Sequence, residues 1–168
     1  MRQSASVAVL CALIVVATAV PASAASTSTT EERKRVVETT HWLEEHPLSP
    51  DAKSRASELL TWWIAVPDLT LSACPLLLDV KNKKIGPTVA TQAMLSTGAF
   101  IIEHPNASRA EQVQAGVEGA LRAYENAVKS DEKTRDRFLD DLVAAQAAGK
   151  LKEVYLDGAV KHCEESAK

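Results

Sequence analysis

Residues that mark β-sheets are scarce in this 168-residue chain. Aromatic residues make up 4% of it, and only six residues are glycine. Alternating β-branched runs bounded by Asn-Gly or Asp-Gly turns, the usual signature of hairpins, are absent. Apolar residues recur instead at spacings of three and four, which predicts an all-α protein.

Sequence motifs for nucleophilic catalysis and phosphate binding are also missing. The chain has no Gly-x-Ser-x-Gly turn. Gly86-Pro87-Thr88 precedes a predicted helix but has neither the glycine pattern nor the lysine of a phosphate-binding loop. We therefore predict no catalytic residues and no cofactor.

The charges give no sign of a polyanionic partner. The chain has 19 basic and 22 acidic residues, a formal net charge of −3, and the basic residues are scattered. Binding to nucleic acid or to an anionic membrane requires a clustered basic patch. We predict that the protein does not bind nucleic acid.

The N-terminus has the three zones of a secretory signal peptide. Arg2 is followed by an uncharged apolar run at residues 5–20 and then by Pro-Ala-Ser-Ala at 21–24. The run is short for a membrane-spanning helix, and its small final residues have the spacing that signal peptidase reads. We predict cleavage after Ala24 and a secreted or periplasmic protein without a membrane span. An uncleaved anchor is the alternative.

Cleavage of residues 1–24 would leave 168 − 24 = 144 residues, enough for one domain with its own core. Residues 25–30 are small and polar, without periodicity, and are interpreted as a flexible leader. Residues 31–168 are predicted to form a single helical domain.

Two cysteines, Cys74 and Cys163, remain after this cleavage. In an oxidising compartment a lone pair most simply forms a disulfide, which would close a loop of about 90 residues and contribute about 4 kcal/mol. The alternatives are two unpaired thiols, or a metal site that adds His162.

Apolar periodicity predicts six helices, at residues 30–46, 49–67, 88–103, 107–129, 130–149 and 151–163. The inward stripe of the first helix includes one acid, Glu44. Residues 68–80 are also apolar, but Pro75 interrupts them, so we expect a kinked helix or two short turns there. Short connections predict an antiparallel bundle of six or seven helices.

The tripeptide Glu-His-Pro occurs at residues 45–47 and again at 103–105, each time between two predicted helices. This echo favours a duplicated helix hairpin, as in helical repeat proteins. The alternative is a convenient helix stop, because a residue before proline avoids the helical conformation.

Histidines near carboxylates suggest a metal site. Glu38 and His41 have the Glu-x-x-His spacing of di-iron bundles, but that spacing occurs once instead of twice. His41, Glu45 and His104 are the candidate ligands if a site exists. We predict no metal, and interpret the histidines as solvated residues at helix ends and in surface ion pairs.

The tryptophans are candidates for a binding surface. Trp62 and Trp63 point about 100° apart on a helix, and Trp63 continues the apolar ladder. Trp62 is therefore expected to be the more exposed, against Trp42 of the preceding helix, where an aromatic pair could bind a partner. Alternatively, Trp62 and Trp63 fill the seam between the first two helices.

These patterns predict an exported helical module that binds a protein or an envelope component, or has a structural role, without catalysis. The alternative is a periplasmic carrier of a small ligand or metal, with a pocket between helices lined by Trp and His. Convergence of His41, Glu45 and His104 in space would support the carrier. The sequence specifies no oligomeric state.

Overall fold

The structure, a computed structural model, describes residues 27–71 and 74–165. Six α-helices pack together, which confirms the predicted all-α bundle, and the described residues contain no strand. The helices are α1 (Thr30–Glu45), α2 (Ala52–Ala65), α3 (Gly86–Glu103), α4 (Arg109–Ser130), α5 (Arg137–Ala147) and α6 (Asp157–Glu165).

Two of the helices begin with the same capping arrangement. Thr29 accepts a hydrogen bond from the backbone N–H of Glu32, whose carboxylate accepts one from the backbone of Thr29. Ser108 and Glu111 repeat this at the start of α4. Each box satisfies two backbone N–H groups that a helix start leaves unpaired, so α1 and α4 have well-defined first turns.

Helices α1, α3 and α4 form the centre of the bundle, with α4 packed closely on α3. Glycines in α4 allow this approach. A Cβ at Gly119 would lie 2.6 Å from Oε1 of Glu44, and one at Gly116 would overlap the hydroxyl of Thr97. The missing side chains therefore leave room for the polar groups of α1 and α3.

Apolar side chains form two clusters around this centre. The larger one contains side chains of α3, α4, α5 and α6 and of part of the connection between α2 and α3. The smaller one joins α1 and α2 to Leu95 of α3. Helix α2 is thus held mainly through the smaller cluster, at one side of the bundle.

The connection between α2 and α3 is irregular. Of the two alternatives expected at residues 68–80, the kinked helix is wrong for the described part, which contains a short turn at residues 78–79. Leu77 has φ of 60°, a conformation that a helix does not allow, and its N–H donates to the hydroxyl of Tyr155 over 2.9 Å. Cys74 is bonded to Cys163 of α6, with the Cα atoms 5.4 Å apart, so the predicted disulfide is present.

The start of α5 differs from the prediction. Ser130, where the helix at 130–149 was predicted to begin, is instead the last residue of α4. Asp131 caps a short 3-10 turn at Glu132–Thr134, and Asp136 caps α5 by accepting from the N–H groups of Phe138 and Leu139. A π-turn at Lys152–Leu156 then leads directly into α6.

The two Glu-His-Pro segments end their helices alike. His46 and His104 each follow the last helical residue, and each ring lies against the aromatic residue four positions earlier, Trp42 or Phe100. The two hairpins nevertheless pack differently, since α3 and α4 are in extensive contact and α1 and α2 are not. The two hairpins therefore resemble each other in how their first helices end and differ in how their helices pack.

The predicted signal peptide lies outside the described residues. No helix in the described part of the chain is long and apolar enough to cross a membrane. The end of the predicted leader is ordered by specific contacts: Ser28 donates to both oxygens of Asp68, Arg33 donates to the same carboxylate, and Thr30 already belongs to α1.

Candidate functional site

The indole of Trp42 is half-buried, and its ring is in contact with two residues of its own hairpin. The His46 ring stacks on it with centroids 4.8 Å apart, and the guanidinium of Arg55 lies 4.4 Å from its centroid. These contacts cover the ring with two cationic or polar groups. They do not join it to Trp62.

Trp62 and Trp63 differ in burial as the periodicity predicts. Trp63 is buried, and its ring packs against Gly98 of α3, where a Cβ would lie 2.7 Å from the indole carbon Cε2. Trp62 is half-buried and meets Trp63 edge to face, with centroids 5.2 Å apart. The two residues therefore fill the seam of the smaller apolar cluster, and a binding role for Trp42 and Trp62 stays a prediction.

The three candidate metal ligands do not converge. His41 places Nδ1 3.4 Å from Oε2 of Glu44 and Nε2 3.9 Å from Oε1 of Glu103. Glu45 is exposed, and the His104 ring contacts Phe100 instead. Within residues 27–71 and 74–165, no group of three or more His, Cys, Asp or Glu side chains has the arrangement of a metal site.

A buried polar network joins α1, α3 and α4 at Glu44, which is only 4% exposed. Its carboxylate accepts from the Ser96 hydroxyl over 2.7 Å, and from Nε and Nη2 of Arg122 over 2.8 and 3.1 Å. Gln92 donates to Ser96 Oγ and to the carbonyl of Thr40. Every helix of the centre thus contributes to one hydrogen-bonded cluster.

Burial alone would raise the pKa of Glu44, but the hydrogen bonds from Arg122 and Ser96 outweigh it and hold the pKa below its ordinary value. A carboxylate kept ionised and supplied with donors is a poor proton acceptor. We therefore interpret Glu44 as the group that fixes α1 against α3 and α4.

Sequence reasoning missed this network, although it carried a signal. Glu44 was expected on the inward stripe of α1, where an acid requires a buried partner. Its partner Arg122 is 78 residues away, so periodicity within one helix could not identify it.

A groove of about 420 Å³ lies between the α1–α2 hairpin and the start of α3. Helices α2 and α3 meet where Trp63 packs on Gly98, and they are separated by the groove nearer their N-termini. The residues that line it are Leu43, Pro47, Ser49, Ala52, Lys53, Ala56, Ser57, Leu60, Pro87, Thr88, Thr91 and Gln92.

The groove combines an apolar floor with hydroxyl groups and a single charge. Lys53 is its only charged lining residue, and none of the lining residues is His, Asp, Glu, Cys or Trp. The Ser49 hydroxyl donates to the carboxylate of Asp51, which lies outside the lining. This groove is therefore not the Trp- and His-lined pocket that the carrier hypothesis predicted.

Comparison with known proteins gives no relative from which a role could be transferred. No protein-family model, no curated protein and no solved structure matches this chain.

Proposed function

We propose that the protein is an exported, non-catalytic helical module that binds another protein by accepting one of its segments in the groove between α2 and α3. The observation that carries this proposal is the groove itself, a preformed and mainly apolar concave surface flanked by two helices. Amphipathic helices and short apolar segments of partner proteins bind in grooves of this kind.

The dimensions of the groove suit a short segment. From Ala52 to Leu60, its α2 wall extends about 12 Å at 1.5 Å per residue. The side chains of Ala52, Ala56 and Ser57 are small, which lets another backbone approach α2 closely. A partner could thus bury two or three apolar side chains against Leu43 and Leu60.

The wall formed by α1 and α3 is rigidly held. Gln92 lines the groove, and its amide donates to the carbonyl of Thr40 and to Ser96 Oγ. Leu43, also in the lining, precedes the buried Glu44. A surface held in one conformation before binding loses little entropy when a partner docks, which favours affinity.

Export is part of the same proposal. The predicted signal peptide would deliver the chain to an oxidising compartment, and the Cys74–Cys163 bond is the type of cross-link that persists there. A binding partner would accordingly be a protein or component of the cell envelope or of the external medium.

A carrier of a small apolar ligand is the second candidate, and the groove volume favours it. About 420 Å³ lies within the roughly 300–1,000 Å³ of ordinary ligand pockets. The ligand would contact leucine, alanine and proline side chains rather than tryptophan and histidine.

Affinity capture with groove-filling variants tests the proposal. Wild-type protein, Ala56→Trp and Ala65→Trp are immobilised and exposed to envelope extract of the expressing cell. Ala56 lines the groove, whereas Ala65 is exposed at the end of the same helix. We expect a discrete protein to be retained by the wild type and by Ala65→Trp, and lost from Ala56→Trp.

Circular dichroism establishes that Ala56→Trp is folded, and Ser57→Tyr fills the groove by a second route. Equal retention by all variants would contradict the proposal. Native mass spectrometry of the purified protein separates the second candidate, which requires a bound small molecule that both groove-filling variants lose.

A further inference from the structure

We propose that the segment bound in the groove presents an acidic side chain to Lys53. This inference rests on the proposed function, because it names the chemistry of the partner that the groove accepts. It is carried by the charge pattern of the groove, in which one unpaired cation stands at the edge of an apolar surface.

Lys53 has no carboxylate partner of its own. It is exposed, lines the groove, and takes part in none of the ion pairs among the described residues. The nearest acid in sequence, Asp51, already accepts from Arg55 over 2.7 Å and from the Ser49 hydroxyl. Glu58, further along α2, accepts from Ser54. The charge of Lys53 is thus available to a partner.

On the other side of the groove, the nearby acidic residue is already paired. Glu44 lies behind the groove wall but is buried and bonded to Arg122 and Ser96. No lining residue is acidic. A carboxylate entering the groove would therefore meet Lys53, while the nearby carboxylates of Glu44 and Asp51 are already paired with Arg122 and Arg55.

The opposite wall of the groove also contributes a positive electrostatic potential. Pro87 and Thr88 belong to the first turn of α3, which has no acidic residue and no side-chain cap. A helix start carries a partial positive charge, so this wall adds to the potential that Lys53 creates. An acidic residue flanked by apolar residues fits this surface, whereas a basic one is repelled.

This charge pattern opposes the overall balance of the chain, which has a formal net charge of −3. A negative protein repels acidic segments over most of its surface, so a local cation would determine where such a segment docks. Complementary charge of this kind sets specificity and register more than affinity.

Selection of random peptides displayed on phage tests the inference with a defined probe. The wild-type protein is the target, and peptides that also bind Ala56→Trp are discarded, which leaves peptides that need the groove. We expect the retained peptides to combine apolar residues with Asp or Glu. Lys53→Gln should weaken their binding roughly 1.5-fold to fivefold, as for loss of an exposed ion pair, and Lys53→Glu should select basic peptides instead.

Lys150→Gln is the matched control, since Lys150 is exposed and lies outside the groove; it should leave binding unchanged. Groove-dependent peptides without acidic residues, bound equally by Lys53→Gln, would overturn the inference and leave the proposed function standing. Failure to recover any peptide sensitive to Ala56→Trp would overturn both.

Discussion

Glu44 and Arg122, 78 residues apart in the chain, form a two-pronged ion pair that connects α1 to α4. The carboxylate is buried, while about half of the Arg122 side chain (47%) remains in contact with water. The pair holds the wall from which the groove is built, so its energetics bear directly on the proposed binding site.

Arg122→Gln is expected to destabilise the protein because it leaves the buried Glu44 carboxylate with fewer donors. Loss of one partner of a fully buried pair costs roughly 3–5 kcal/mol, and the exposure of Arg122 reduces this to about 1–2 kcal/mol. Urea unfolding measures the change. Lys34→Gln, which removes the exposed pair with Glu38, is the control and should be neutral; an equally small effect at Arg122 would refute the account of the network.

The network also predicts a dependence on pH. Because the pKa of Glu44 is lower in the folded protein than its ordinary value of 4.5, its stabilising contribution is complete above that value. It is lost as the pH falls through the folded pKa. Other carboxyl groups with lowered pKa, such as Asp136, act in the same direction.

Comparison with Glu44→Gln isolates the contribution of this residue, since an amide does not titrate. The free energy of unfolding of the wild type should fall more steeply below pH 4.5 than that of the variant. Parallel curves for the two proteins would show that the folded pKa of Glu44 is not lowered.

Gly119→Ala is expected to destabilise the bundle although alanine favours helices. Its Cβ would lie 2.6 Å from Oε1 of Glu44 and would overlap Ser96, and overpacking of this kind costs about 1–3 kcal/mol. Gly158→Ala in α6 meets no atom within 4 Å and should stabilise by about 0.5–1 kcal/mol. Thermal unfolding of the two variants gives the comparison; a stabilised Gly119→Ala would mean that α4 is not so close to α1 and α3.

Removal of the disulfide should weaken the attachment of the α2–α3 connection. Cys74→Ala with Cys163→Ala opens a cross-link between residues 89 apart in sequence, worth about 4 kcal/mol in the chain-entropy model. Urea unfolding should show this loss, and hydrogen exchange at residues 76–85 should accelerate most. An unchanged exchange rate at residues 76–85 would argue against a local role, and an unchanged urea midpoint would argue against the stabilisation.

Local patterns were sufficient for much of the fold. The spacing of Ala52, Leu59 and Trp63 identifies α2, and the lone pair Cys74 and Cys163 identifies the disulfide. The connection at 68–80 could not be foreseen because its path depends on partners distant in sequence. Leu77 bonds to Tyr155, and Cys74 to α6.

The candidate site was less accessible to sequence reasoning. Trp42, Trp62 and the histidines stood out by residue type, yet the groove is lined by alanine, leucine, serine and threonine, which carry no signal singly. Its existence depends on the separation of α2 from α3 beyond the Trp63–Gly98 contact, and no spacing within one helix encodes that separation.

Photo-crosslinking in cells tests the binding role of the groove most directly. A benzophenone amino acid is placed at Ser57, which lines the groove, or at Thr61, which is exposed one turn further along α2 and lies outside the lining. If the groove binds a partner, irradiation should couple a discrete partner protein to the Ser57 variant and not to the Thr61 variant. Crosslinks of the same kind at both positions, or at neither, would contradict it.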